Sequence, residues 1–280
     1  MNAKYNYITK QKLFNINSMT SQVRKYITAA AAVAAVVTSF LVMPSTASAA
    51  GDRPAITGSK AEVEALSAKL RKTMPGLIID SIKPAAIPGL WELVSGGDVA
   101  YFTPDGVYMI QGTLFNVQDR RNMSEDALTD QRVKAMGTIG KEALIVYPAK
   151  GKAKHTITVF TDPSCPFCKR LHQEIPALNE VGITVQYAGY ARSGNGTLTS
   201  RQLQEVLCSS DPRSTMDAFM DSPQKNATGA DCKAAGELAQ VSKVANQVGL
   251  KGTPHIVADS GKAFSGFMPA KDLLTALQAK

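Results

Sequence analysis

An apolar run, Thr156 to Thr161, leads through Asp162-Pro163-Ser164 into Cys165-Pro166-Phe167-Cys168, and the residues that follow read as a helix. This strand–Cys-x-x-Cys–helix order constrains the fold more than any other feature of the chain. A cysteine at a helix mouth has unpaired backbone N–H groups and the positive end of the helix dipole aimed at its sulfur. Such settings lower a thiol pKa from about 8.5 into the range of roughly 3.5–7.5. Cys168, one turn further on, is expected to be more buried and less acidic. That asymmetry assigns Cys165 as the thiol that attacks a disulfide and Cys168 as the thiol that resolves the mixed disulfide. Pro166 suits the first helical turn, where the missing N–H had no partner to lose.

Three other uses of such a pair compete. A zinc ribbon needs two closely spaced ligand pairs, but Cys208 and Cys232 stand far apart and no metal is expected. A c-type haem needs histidine after the second cysteine, where this chain has Lys169. An inert bridge is the third, but a two-residue loop at a helix start favours reducibility. The context therefore favours a redox pair that works without a cofactor. Far along the chain, Gly252-Thr253-Pro254 precedes a second apolar strand. Proline is poor inside a strand, so its place at the first position indicates a turn entry or a cis bond.

The formal charge of +8 invites a nucleic-acid reading, but the excess is local. Residues 1–49 hold Lys4, Lys10, Lys12, Arg24 and Lys25 and no acid, and without them 26 basic side chains face 23 acidic ones. No basic cluster interleaved with aromatics remains, so no nucleic-acid partner is expected. Those first residues read as an export signal: Arg24-Lys25, an Ala-rich apolar stretch from Ile27 to Val42, then Ala47-Ser48-Ala49 as a cleavage pattern. Met19 offers a second possible start with a shorter charged lead. All four cysteines lie downstream, and an even count in an exported chain favours disulfides, with three pairings open.

The exported part opens with Ser59-Lys60-Ala61-Glu62, a capping-box sequence. Val63, Leu66 and Leu70 follow at helical spacing, and Pro75-Gly76 stops the helix. Strands are expected at 78–82, 91–95, 99–103 and 107–111, the last three separated by Gly96-Gly97 and Pro104-Asp105-Gly106. A helix on a meander of about sixty residues buries little surface by itself, which points to dimerisation, with an edge strand as the natural contact. Asp119 to Met136 reads as a linker helix with Ser124 as N-cap, a spacer rather than a core element because it lacks an apolar stripe. Strands at 144–147, 156–161 and 183–187, a helical stretch from 199 to 248, strands at 255–258 and 263–267, and a final helix give an α/β domain with a mixed sheet.

This order of strand, C-P-F-C, helix, helical insertion, G-T-P, hairpin and final helix resembles the thioredoxin fold. With Y-F-T-P-D-G-V-Y-M-I-Q-G upstream, together with L-I-V-Y and I-T-V-F-T-D-P-S-C-P-F-C, the chain resembles the DsbC/DsbG family of periplasmic disulfide isomerases from about Glu62 to its end. The resemblance implies four segments: a signal peptide at 1–49, a small α+β, cystatin-like dimerisation domain at 50–118, a linker helix at 119–140, and a thioredoxin-like catalytic domain with a helical insertion at 141–280. It implies a V-shaped homodimer joined through the N-terminal domains, and a cis Pro254 with Thr253 beside the cysteines, where its backbone pairs with substrate. It further implies a structural disulfide between Cys208 and Cys232, as in the DsbC branch, whereas C-P-F-C is nearer the DsbG form. Its clients would be misfolded exported proteins with wrong disulfides, and its electron donor a membrane-bound thiol reductant. A narrower thiol reductase that rescues sulfenic acids, or a redox-independent periplasmic chaperone, are the alternatives. Thioredoxin carries a buried acid six residues before its first cysteine; Val159 stands there in this chain. Asp162 reads as a turn residue, Lys169 as a helix cation able to favour the thiolate, His172 as a packing residue, and His155 as a strand-edge residue. His255, after the proline, is a possible substrate contact.

Overall fold

The computed structural model describes residues 56–279. The export-signal reading and both candidate start residues, Met1 and Met19, lie outside the described residues. Among the described residues no helix is long and apolar enough to cross a membrane.

The first element is α1 (Lys60–Thr73), opened by the expected capping box: Ser59 Oγ accepts from the Glu62 N–H, and the Glu62 carboxylate accepts from the Ser59 N–H. A four-stranded antiparallel sheet follows in sequence order, β1 (Ser81–Pro84), β2 (Trp91–Ser95), β3 (Asp98–Phe102) and β4 (Met109–Gln111). β1 starts later than the apolar run at 78–82 suggests. Its partner β2 ends at Ser95, and the register pairs Ser81 with Val94, so Ile78 and Ile79 have no ladder to join. A short hairpin, β5 (Phe115–Asn116) with β6 (Arg121–Asn122), leads into α2 (Met123–Met136).

Helix α2 corrects two sequence expectations. Its N-cap is Asn122, whose Oδ1 accepts from the Glu125 N–H at 3.0 Å. Ser124 sits two residues past the cap with its hydroxyl already engaged, 2.7 Å from the Tyr101 hydroxyl and accepting from the Leu114 N–H. Nor is α2 a spacer. One face of the small sheet places Trp91, Leu93 and Phe102 against Leu66 and Leu70 of α1; the other places Val94, Val99 and Tyr101 against Ala127 of α2. Further along, Ala135 packs with Phe160, Val241, Val244 and Val257 of the second domain. The apolar stripe is missing because the helix fills a narrow gap with small and polar residues. Among these is the buried Arg132, which pairs with Glu125 and donates to the Gly261 carbonyl.

The second domain has a five-stranded sheet in the order β11 (Ala263–Ser265), β10 (His255–Ala258), β8 (His155–Thr161), β9 (Ile183–Gly189), β7 (Leu144–Tyr147). Only β8 and β9 run parallel; the other pairs are antiparallel. The helix after the cysteine loop is α3 (Pro166–Gln173). It breaks at Glu174, and α4 (Ile175–Glu180) begins with Pro176 in its first turn rather than near the end of a longer helix. The insertion comprises α5 (Leu198–Cys208), α6 (Pro212–Asp221), α7 (Lys233–Gly236) and α8 (Leu238–Gln247), and the chain closes with α9 (Ala270–Gln278). Cys208, at the end of α5, is disulfide-bonded to Cys232, the N-cap of α7, across 24 residues that contain α6. The core lies on both faces of β8, whose Ile157, Val159 and Phe160 are completely buried.

The two domains meet where the Gly96-Gly97 turn touches the end of α8. Asp80 ties the junction, accepting from the Gly96 N–H at 2.7 Å and from Gln247 Nε2 at 3.0 Å, and Lys251 pairs with Asp98 at 3.3 Å. Gly97 (φ 82°) lies so near Gly249 that an added Cβ would sit 2.1 Å from the Gly249 Cα. Gly76 has a similar φ of 90° but open space around it. Gly76→Ala is therefore expected to cost only the left-handed backbone penalty, about 1–2 kcal/mol. Gly97→Ala should cost clearly more in urea unfolding, because backbone must also move; equal losses would contradict a close-packed junction.

Candidate active site

β8 delivers the cysteine loop. After Thr161 the chain turns at Asp162, whose carbonyl accepts the Cys165 N–H at 2.9 Å. Cys165 is the N-cap of α3 with extended φ and ψ, and Pro166 takes the first helical position. Cys168 points one turn inward to the core beside Leu171 and Tyr187, with no exposure, whereas Pro166 and Phe167 are exposed. Both cysteines are free thiols.

The strand pairing of β10 with β8 brings Thr253-Pro254 to the same place, with the Thr253–Pro254 peptide cis. The Cys165 thiol donates to the Thr253 carbonyl at 3.2 Å. Two buried hydroxyls, Thr161 Oγ1 and Thr253 Oγ1, have no geometric hydrogen-bond partner, and both lie near enough to the sulfurs to affect their ionisation. Burial is the largest influence on Cys165 and opposes its ionisation. The Thr253 hydroxyl, the Cys168 N–H and thiol, and the Phe167 N–H together outweigh it and hold the Cys165 pKa below the ordinary thiol value. At Cys168 burial wins: it pushes the thiol up to about 12 against the Thr161 hydroxyl, the Asp162 N–H and the Thr253 hydroxyl, and a charged Cys165 adds to the rise.

Asp162 does not face the sulfurs as a proton shuttle would. It is completely buried, accepting from the Ser164 N–H and hydroxyl through Oδ1 and from the Arg192 N–H and Nε through Oδ2. Its role is to lock the loop that carries Cys165. Val159, in place of an acid, is fully buried among apolar neighbours, so this position supplies no carboxylate to the pair. Lys169 is not aimed at the sulfur either; its Nζ donates to the Asp221 carbonyl at the end of α6.

The histidines divide as packing dictates. His172 is 3.2 Å from the Tyr187 hydroxyl and 3.4 Å from the Asp217 carboxylate, and burial lowers its pKa despite Asp217 and Asp221. His155 sits at the start of β8, opposite Ile183. His255 is only 3 % exposed; burial first, then the nearby Arg132 charge, lower its pKa to about 4, so it is neutral at pH 7 and packs against Phe160 rather than facing open surface.

Sequence reading missed Thr161 and Arg192. Thr161 is an ordinary strand residue until the fold turns its hydroxyl toward Cys168. Arg192 reaches Asp162 only because β9 runs parallel to β8 and extends it, with the Tyr190 N–H donating to the Thr161 carbonyl at 2.8 Å. A separation of 30 residues carries no sequence signal for that pair.

These settings predict two well-separated ionisations in the reduced protein: Cys165 below the ordinary thiol range and Cys168 near about 12. Thiolate absorbance against pH measures both. Thr253→Val, which deletes the hydroxyl serving both sulfurs, should move the Cys165 step upward and slow its alkylation at neutral pH. An unmoved step would show that Thr253 contributes only its carbonyl.

Comparison with known proteins agrees with this architecture over most of the described chain. Residues 141–280 match the thioredoxin-like domain family, and residues 55–125 match the disulfide bond isomerase protein N-terminal domain. The thiol:disulfide interchange protein DsbC of Dickeya dadantii is 31% identical over 76% of this chain and 87% of its own length. The Pasteurella multocida DsbC is 32% identical over 72% of this chain and 86% of its own, and the Escherichia coli DsbC 30% over 75% and 86%. With both domains matched in order and relatives of this similarity covered over most of their length, the chain belongs to the DsbC family of thiol:disulfide interchange proteins, the disulfide isomerases.

Proposed function

We propose that this protein rearranges wrong disulfides in exported proteins, with Cys165 as nucleophile and Cys168 as resolving thiol. The observation that carries the reading is the opposed state of the two sulfurs. The Cys165 thiolate attacks one sulfur of a client disulfide; a bond forms from Cys165 Sγ to that sulfur, and the other client sulfur leaves as thiolate. A second client thiolate can then displace Cys165 and form a new client disulfide, with no net electron transfer. Alternatively Cys168 attacks Cys165 Sγ, the client leaves reduced, and two electrons have passed from the cysteine pair to it. A thiol held near about 12 is scarcely ionised at neutral pH, so this escape is slow. The mixed disulfide persists, and the client's own thiols have time to act. Isomerisation is favoured over simple reduction. Thr253 and Pro254 would hold the client backbone beside the sulfurs, and the Cys208–Cys232 bond would brace the insertion against which Lys169 rests.

The reduced pair must be regenerated after each escape, so a membrane-bound thiol reductant in the cell envelope is part of the proposal, as is a periplasmic location. A homodimer through the N-terminal domain is supported by β4. It is the edge of its sheet, with Met109 and Ile110 exposed on it and Val107 and Tyr108 exposed just before it. Such an edge offers unpaired main-chain groups and apolar surface together. The mature protein is expected to sediment as a dimer at micromolar concentration, and Ile110→Asp to sediment as a monomer. A monomeric mature protein would rule the dimer out.

The functional test is refolding of a scrambled multi-disulfide protein by the reduced enzyme. Cys165→Ala should lose about 10²-fold or more in rate, because a nucleophile's partners cannot replace it. Cys168→Ala should keep part of the isomerase activity while accumulating mixed disulfide. Full activity of Cys165→Ala would overturn the assignment. Faster turnover of a protein sulfenic acid than of scrambled disulfides would instead favour a specialised reductase.

A further inference from the structure

Helix α3 exposes Arg170 two residues beyond Cys168. Its guanidinium lies 4.3 Å from the centre of the Phe267 ring and 5.8 Å from that of Phe167. Among the described residues no carboxylate pairs with it. The natural candidate is Glu174, four residues on, in the weaker orientation with the cation first. Glu174 is committed elsewhere, because its Oε2 accepts the Ala270 N–H at 3.0 Å in the first turn of α9.

Each ring is carried by a segment that meets the cysteine site. Phe167 stands between the two cysteines and is 53 % exposed. Phe267 follows Gly266, whose N–H donates to the carbonyl of Pro254 at 2.9 Å, and Phe267 packs on the catalytic core. The guanidinium carbon thus lies over the rings of one residue from the cysteine loop and one from the segment bonded to Pro254. Stacking occupies the flat faces of an arginine and leaves its N–H edges for a planar acceptor. A carboxylate meets those edges with two parallel hydrogen bonds.

We propose that Arg170 is a specificity-determining residue that recognises a side-chain carboxylate, Asp or Glu, in the client segment next to the cysteine under attack. The inference rests on Cys165 being the nucleophile. It makes clients with acidic flanks around their wrong disulfides the better substrates, and lysine-flanked ones the poorer.

The test uses the full reduced protein and three peptides with one disulfide each, identical except for Glu, Gln or Lys beside the cysteine attacked. The expected order of kcat/KM is Glu, Gln, Lys, with about 3–10-fold between Glu and Lys at low salt, the scale of one exposed charge pair. The spread should collapse near 1 M salt. Arg170→Glu should reverse the order, Arg170→Met should flatten it, and Arg170→Lys should keep a reduced preference for Glu, having charge without the fork. The ratio between peptides within each variant is the readout, so a general loss of activity or of folding does not mimic the result. Equal rates for the three peptides with the unsubstituted protein, or a Glu preference that survives in Arg170→Glu, would overturn the inference and leave the Cys165 assignment intact. Failure of the Gln peptide to react in a Cys165-dependent way would overturn both.

Discussion

The site depends on β8 being the middle strand of its sheet, with β10 antiparallel on one side and β9 parallel on the other. From β8 comes the cysteine loop. From the entrance of β10 comes Thr253-Pro254, 88 residues away in sequence and 3.2 Å from Cys165 Sγ. From the exit of β9 comes Arg192, which closes on the buried Asp162. A buried carboxylate is costly unless paired and hydrogen-bonded, and Asp162 accepts from two N–H groups, a hydroxyl and a guanidinium. The loop that carries Cys165 is therefore fixed by a group that cannot let go cheaply. Slip β10 against β8 by one residue and its side chains exchange faces, and the Thr253 carbonyl ahead of it would leave its place beside Cys165 Sγ.

How far the sequence discloses this follows from the range of each interaction. Local codes were readable: the capping box at Ser59 and Glu62, the strand at Trp91–Ser95, the cysteine pair at a helix mouth, and the strand at His255–Ala258. Where a tertiary partner competes for the same group, local reading went astray. Ser124 has the chemistry of an N-cap, but Tyr101 and Leu114 claim its hydroxyl and Asn122 takes the position. Helix α2 reads as a polar spacer because its buried residues are Ala, Gln and Arg, whose burial depends on pairing across the fold and not on an apolar period. The same limit hid Arg192 and the hydroxyl of Thr161.

The N-terminal domain and the chemistry of the cysteines are connected through that helix. α2 covers one face of the small sheet with Ala127 and enters the core of the catalytic domain with Ala135, while Arg132 bonds the turn after β10 at Gly261. The Gly97–Gly249 contact adds a second point of attachment close to the loop that leads to Thr253. Two separate contacts define an orientation where one would leave a swivel. The catalytic domain is thereby presented at a set angle to the sheet whose edge strand β4 is exposed.

That arrangement gives physical content to the difference between an isomerase and a reductase. A reductase gains from fast escape, which an accessible and ionisable second thiol provides. In this protein Cys168 is buried without exposure, raised in pKa, and shares its core with Tyr187, which in turn meets the rings of Tyr147 and His172. The usual buried acid position is Val159, which offers no proton relay. Slow escape is a liability for reduction and an asset for rearrangement, since a client held through one sulfur can try its other thiols while still attached. The burial that holds Cys168 protonated and the hydroxyl and N–H groups that lower the Cys165 pKa are two sides of a single helix terminus, and in the proposed mechanism their separation favours rearrangement over reduction.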